Sequence, residues 1–258
     1  AEALAAAEAA ERVGYRRAEN VARLTAGRIY YECGDLAASR SHLEKGLVLV
    51  EEMGANRFKA FHMIYLARIL HAEDGTQTEA REMAGEALQI SRDTGITFLG
   101  PWALSTLALV SDDPGDRQSA LDEGEAIIND GCVGHNYFAF SRDAVEAALA
   151  QADWDAADVY IVSLERYNAP EPLPWCDFFM QRGAALAAHG RGQRDTELRR
   201  ELSRLRDAAN QMGIMRSVPS LDAALAAPSG RYWITSTFGM PPISIKMIKK
   251  KSINYIDY

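Results

Sequence analysis

Three cysteines in 258 residues, at positions 33, 132 and 176, are too few and too scattered for a disulfide framework, so reduced thiols in a cytoplasm are expected. No apolar run approaches the roughly 18 residues a membrane-spanning helix needs. The opening residues, AEALAAAEAAERVG, have neither a basic n-region nor a compact apolar segment, so no signal peptide is expected there. A Walker-type phosphate loop, a GxSxG elbow and an HExxH zinc motif are all missing from the sequence. The Gly-x-Gly of HGRGQRD follows an alanine-rich helical run rather than a strand, which reads as a turn. Positive charge is in deficit, with a net charge of -8, which argues against a nucleic-acid surface.

Potential metal ligands are equally sparse. Cys132 and His135 form an isolated C-x-x-H, without the further ligands zinc normally requires. His42, His62, His71 and His189 share no spacing, and the acidic DDPGD stretch at 112–116 lacks the calcium-loop pattern. No catalytic residue, cofactor or metal is expected.

What the chain has is a repeated helix stop. Gly14, Gly54 and Gly95 each follow one helical pattern and precede another, and Gly213 closes the last. A second series, Gly34, Gly75, Gly115, Ala152 and Gly190, runs with nearly the same period of about 40 residues, offset by half. Two interleaved series of this kind predict repeated helix pairs. Small and apolar residues fall on shared faces, as at Ala26, Gly27 and Tyr30 on one helix and Ser39, Leu43, Gly46 and Leu47 on the next. The third unit fits least well, because Pro114 interrupts its turn and its first helix has no firm register.

Gly27, Tyr30, the Gly34-Asp35 turn, Ser39, Leu43 and Gly46 resemble the tetratricopeptide repeat (TPR), in a form longer than its usual 34 residues. The stretches GITFLGPWALSTLALVSDDP and GCVGHNYFAFSRDAVEAALAQADWDAADVYIVSLERYNAPEPLPWCDFFMQRGAALAAHGRG resemble the C-terminal repeat region of bacterial class III adenylate/guanylate cyclases that also carry an AAA-type ATPase module. That resemblance runs over about Tyr15 to Ala227 and includes none of the cyclase or ATPase motifs. It implies a non-catalytic, regulatory or partner-binding array belonging to a larger signalling protein.

The expected fold is therefore all-α: a superhelical TPR-like α-solenoid of antiparallel helix pairs. Residues 1–14 are expected to be the second helix of a truncated preceding repeat, and 15–228 about five helix pairs. Residues 229–258 form an atypical tail, with four of the six lysines (Lys246, Lys249, Lys250, Lys251) near its end. The tail reads as an appended, recombined or frame-shifted terminus, with a lipid-surface segment as the alternative.

On the concave side, Arg28 and Arg68 fall at the same register 40 residues apart, with Leu24 and Tyr31 beside the first and His71 beside the second. Such a groove could hold a carboxylate or an acidic peptide. A protein or peptide partner is expected, without nucleic acid or a membrane span, and homo-oligomerisation is open. A sensory array of a transcriptional regulator and a small-molecule-binding helical domain are the alternative functions.

Overall fold

The computed structural model describes residues 2–227 apart from Asp74. The tail expected at 229–258 lies outside the described residues. Twelve α-helices follow one another: α1 (Glu2–Arg12), α2 (Arg16–Glu32), α3 (Leu36–Glu52), α4 (Asn56–His71), α5 (Gln77–Thr94), α6 (Ile96–Val110), α7 (Pro114–Asp130), α8 (His135–Ala150), α9 (Trp154–Asn168), α10 (Pro174–Gly190), α11 (Thr196–Met212) and α12 (Val218–Ala226). A 3-10 turn, Met215–Ser217, precedes α12. Each helix packs on its successor, and the even-numbered helices from α2 to α12 also pack on one another as an inner row. The result is an all-α stack, and no helix among the described residues is long and apolar enough to cross a membrane.

The turns explain the helix starts. Asp35, Asp113, Asp153 and Asp195 each accept a hydrogen bond from the backbone N–H three residues on, at 2.9–3.0 Å, capping α3, α7, α9 and α11. Each such cap contributes about 1 kcal/mol by satisfying a free helix N–H. The two glycine series are only partly turns. Gly14, Gly34, Gly54, Gly75, Gly95 and Gly213 adopt positive φ, but Gly115 and Gly190 do not. Gly115 lies in the first turn of α7, which starts at Pro114, while Gly192 takes the positive φ near Gly190.

Small residues let the helices approach closely. A Cβ on Gly27 would lie 2.6 Å from Leu43 Cγ, and one on Gly46 would lie 2.1 Å from His62 Cε1. Ser39 reinforces the α2–α3 contact by donating from Oγ to the Gly27 carbonyl at 2.7 Å. In the third unit the first helix, expected without a firm register, is α6, and Pro114 opens α7 rather than breaking a turn. Pro101 sits inside α6, where it cannot donate to the Thr97 carbonyl. That carbonyl accepts instead from Val133 N at 3.0 Å and Asn136 Nδ2 at 3.2 Å. The register of α6 was hard to read because the helix is apolar and buried nearly all round, so no single stripe marks its inner face.

Two cores result. The larger joins α2 through α9 around Leu43, Ile64, Ile69, Leu99 and Leu104, and the smaller joins α10 to α12 around Phe179, Leu202, Leu205 and Leu221.

Candidate functional site

The inner row gathers arginines and aromatic rings. Tyr31 on α2 and Tyr65 on α4 meet edge to face at 5.5 Å between ring centroids. Three guanidinium groups lie against this couple, and a fourth stands in the neighbouring aromatic cluster. Arg28 donates from Nε to the Tyr65 hydroxyl at 3.2 Å, and its cation lies 5.8 Å from the Tyr65 ring and 5.6 Å from the Trp102 ring. Arg68 lies 5.8 Å from the Tyr31 ring and 5.7 Å from the Tyr65 ring. Arg216, from the 3-10 turn, stacks on the opposite part of the cluster, 4.3 Å from the Tyr31 ring. Arg142 on α8 stands among Phe138, Trp175 and Phe179 at 5.3–6.0 Å.

Only two of these cations are neutralised. Arg68 pairs with Asp143, both being almost fully buried. Arg142 donates to Glu32 at 2.8 Å and to Asp143 at 3.3 Å. Ser105 supplies Asp143 with a further hydrogen bond at 3.1 Å. Burial alone would lower the Arg142 pKa, but Glu32 and Asp143 overcome it and raise it. The Arg68 pKa is also raised: burial opposes the charge, and Asp143 together with Tyr31 and Tyr65 overcomes it. Arg28 and Arg216 are half-buried and have no carboxylate within 4 Å among the described residues. The cluster therefore carries two uncompensated positive charges on an otherwise acidic chain.

Beside Arg28 lies an aromatic wall. Phe61 contacts Phe98, Trp102 and His135 at 5.7–5.8 Å, and Tyr65 contacts Trp102 at 5.6 Å. Trp102 Nε1 is buried without a hydrogen-bond partner. His135 is held by the Phe98 carbonyl at 2.7 Å, and its pKa is lowered by burial, partly offset by that carbonyl, with the Arg28 charge lowering it further.

Of the residues singled out in the sequence, Arg28, Tyr31 and Arg68 meet around Tyr65. Leu24 is buried in the larger core rather than lining an open groove. His71 is bonded through Nδ1 to Gln77 Oε1 at 2.8 Å. Its pKa is lowered by burial first, with Arg216 and Arg68 contributing in the same sense. Arg68 does not offer its charge to a ligand as Arg28 does, since Asp143 already takes it. The second open cation is Arg216.

Sequence reasoning missed Arg142, Asp143, Glu32, Trp102 and Arg216. A signal existed for Arg142: the 40-residue step from Arg28 to Arg68 recurs from Arg142 to Arg182. Arg182 is likewise buried, paired with Glu146 and bonded to Ser220 Oγ at 2.8 Å. Arg142 and Arg182 sit about one helical turn earlier on α8 and α10 than Arg28 and Arg68 do on α2 and α4, so the spacing recurs but the register does not. No such signal marks Arg216.

Neither Cys132 nor Cys176 is activated. Burial pushes the Cys176 pKa up to about 11, and burial raises that of Cys132 against a hydrogen bond from Tyr137. Among the described residues, no group of three or more His, Cys, Asp or Glu side chains is placed to hold a metal ion. No protein-family model matches the chain, and neither the curated proteins nor the solved structures contain a match to it.

Proposed function

We propose that the chain is a non-catalytic interaction array of antiparallel, TPR-like helix pairs, wound so that the inner row recognises an anionic group on a protein or peptide partner. The observation that carries this reading is the pair of uncompensated cations, Arg28 and Arg216, flanking the Tyr31–Tyr65 couple. Cations held against aromatic faces are pre-positioned, and a carboxylate meeting them forms charge-assisted hydrogen bonds worth about 1.5–3 kcal/mol each. The resemblance to the repeat region of bacterial nucleotide cyclases adds a context: regulation of an associated signalling enzyme in the cytoplasm. The unpaired cysteines support that compartment.

The test uses a fluorescein-labelled, glutamate-rich peptide and its glutamine counterpart, followed by anisotropy at low salt. The acidic peptide should bind, the neutral one should not, and raising the salt should weaken binding. The Arg28→Ala/Arg216→Ala double variant should lose well over tenfold in affinity. Equal affinity in the double variant and the wild type would remove the proposal.

A further inference from the structure

The inner row curls until elements near its two ends touch. The 3-10 turn at Met215–Ser217 reaches back to α2, where Arg216 covers the Tyr31 ring at 4.3 Å. A Cβ on Gly34 would lie 3.7 Å from Met215 Cβ, and one on Gly213 would lie 3.9 Å from Cys33 Sγ. These contacts make a seam between the two cores. Tyr31 belongs to the larger, while Ile214 and Val218 on either side of the turn pack into the smaller.

The seam is unlike the other junction of the cores, where α10 meets α8 and α9. There Arg182 pairs with Glu146, Arg191 with Asp155 and Asp158, and Asn168 Nδ2 donates to Asp177 at 2.7 Å, while Ala148, Ala157 and Ala187 pack together. Between residues 213–217 and α2 or the turn after it, no hydrogen bond or ion pair forms among the described residues. Charge also opposes closure. Arg68 and Arg216 both lie against the Tyr31 ring, and Arg28 and Arg142 stand close by. Glu32 and Asp143 are the two carboxylates paired within this group of four cations. Ring contact and packing hold the seam against that repulsion.

We infer that this seam opens and closes about the tied junction at α10, and that negative charge brought to Arg28 and Arg216 draws it shut. The two free cations stand on opposite sides, Arg28 on α2 and Arg216 on the turn that belongs to the smaller core. A carboxylate held by both removes the repulsion and bridges the gap. The inference rests on the reading of these two arginines as the anion site and adds the regulation of that site. Binding and closure are linked, so each strengthens the other.

A disulfide across the seam reports the closed form. Gly34→Cys/Met215→Cys in a Cys33→Ser background sets the two Cβ atoms 3.7 Å apart, within disulfide range. The strain a side chain meets at Gly34 is common to every comparison. Adding the glutamate-rich peptide should speed mild oxidation about fivefold or more, while its glutamine counterpart leaves the rate unchanged. The oxidised protein should bind the acidic peptide more tightly than the reduced one. Arg28→Glu in the same background supplies the negative charge itself, giving three carboxylates for three guanidinium groups, and should speed the reaction without any peptide. In the native sequence, amide exchange at 213–217 should slow when the acidic peptide binds. A disulfide rate indifferent to both the peptide and Arg28→Glu would overturn the inference, as would unchanged exchange at 213–217 with the peptide bound. If the peptide fails to bind but Arg28→Glu still speeds the reaction, the seam stands and the peptide reading falls.

Discussion

The carboxylate of Asp143 on α8 pairs with the guanidinium of Arg68 on α4, with 1% and 4% of the two side chains exposed. The same carboxylate also receives Arg142 and Ser105. Removing this one negative charge leaves two guanidinium groups buried against each other with only Glu32 to balance them. Asp143→Asn should therefore cost about 3–5 kcal/mol, the penalty for an uncompensated buried charge. The surface pair Arg92–Glu123 has both side chains more than 40% exposed, and Glu123→Gln should cost less than about 1 kcal/mol. Urea unfolding of the two variants against the wild type measures the contrast. A small loss for Asp143→Asn would show that the inner network contributes little to the fold.

The helices were legible because their signals are local. Asp at the head of a helix caps it, and glycine at a stop takes positive φ, whatever the rest of the chain does. Gly190 was misread as a turn because glycine has two separate uses. Its Cβ would lie 2.5 Å from the Trp154 ring, so it is small for packing, and the backbone turn falls at Gly192. The inner network was mostly illegible because it depends on distant helices meeting. Glu32 reaches Arg142 across 110 residues, and no spacing rule within one repeat encodes that contact. Arg28 was legible as an inner-face cation, while Arg216 comes from an irregular turn that periodicity does not reach.

Ala152 stands where the turns at Gly34 and Gly75 use glycine, and its φ of 57° makes it a non-glycine residue in the left-handed region. An alanine held there costs about 1–2 kcal/mol, whereas glycine adopts it freely. Glycine also gives the unfolded chain more freedom, which offsets about 0.4–1 kcal/mol of the gain. Ala152→Gly should raise stability by several tenths of a kcal/mol to about 1 kcal/mol, seen as a higher urea midpoint with an unchanged slope. A lower midpoint would mean that unfolded-state entropy outweighs the relief of strain at this turn.

Gly46 and Gly85 are both helical, yet alanine should act oppositely at the two sites. At Gly85 nothing lies within 4 Å of an added Cβ, so Gly85→Ala should gain about 0.5–1 kcal/mol from helix propensity alone. At Gly46 the Cβ would meet the His62 ring at 2.1 Å, and that ring is buried and anchored to Asn20 at 2.7 Å. Overpacking costs of about 1–3 kcal/mol exceed the propensity gain, so Gly46→Ala should lower the melting temperature while Gly85→Ala raises it. If both variants were stabilised, the α3–α4 contact would have to be looser than the geometry shows.

His62 makes the fold sensitive to acid. Its Nε2 donates to Asn20 Oδ1, leaving Nδ1 buried without a partner, so a second ring proton would have no acceptor. Burial accordingly lowers its pKa from 6.5 to about 4. Between these values the unfolded chain binds a proton that the folded chain refuses, so stability rises with pH across this window. The contribution is fully present above pH 6.5 and is lost progressively as the pH falls towards 4. Complete loss amounts to about 3 kcal/mol by proton linkage. Glutamine at this position can still donate to Asn20 but cannot titrate. The check is the urea midpoint of the wild type and of His62→Gln at pH 7.5, 5.5 and 4.5. The wild type should lose more stability on acidification than the variant, by up to that amount, because carboxylates and the other histidines titrate equally in both. Parallel pH profiles for the two proteins would show that the folded state accommodates a charged His62 after all.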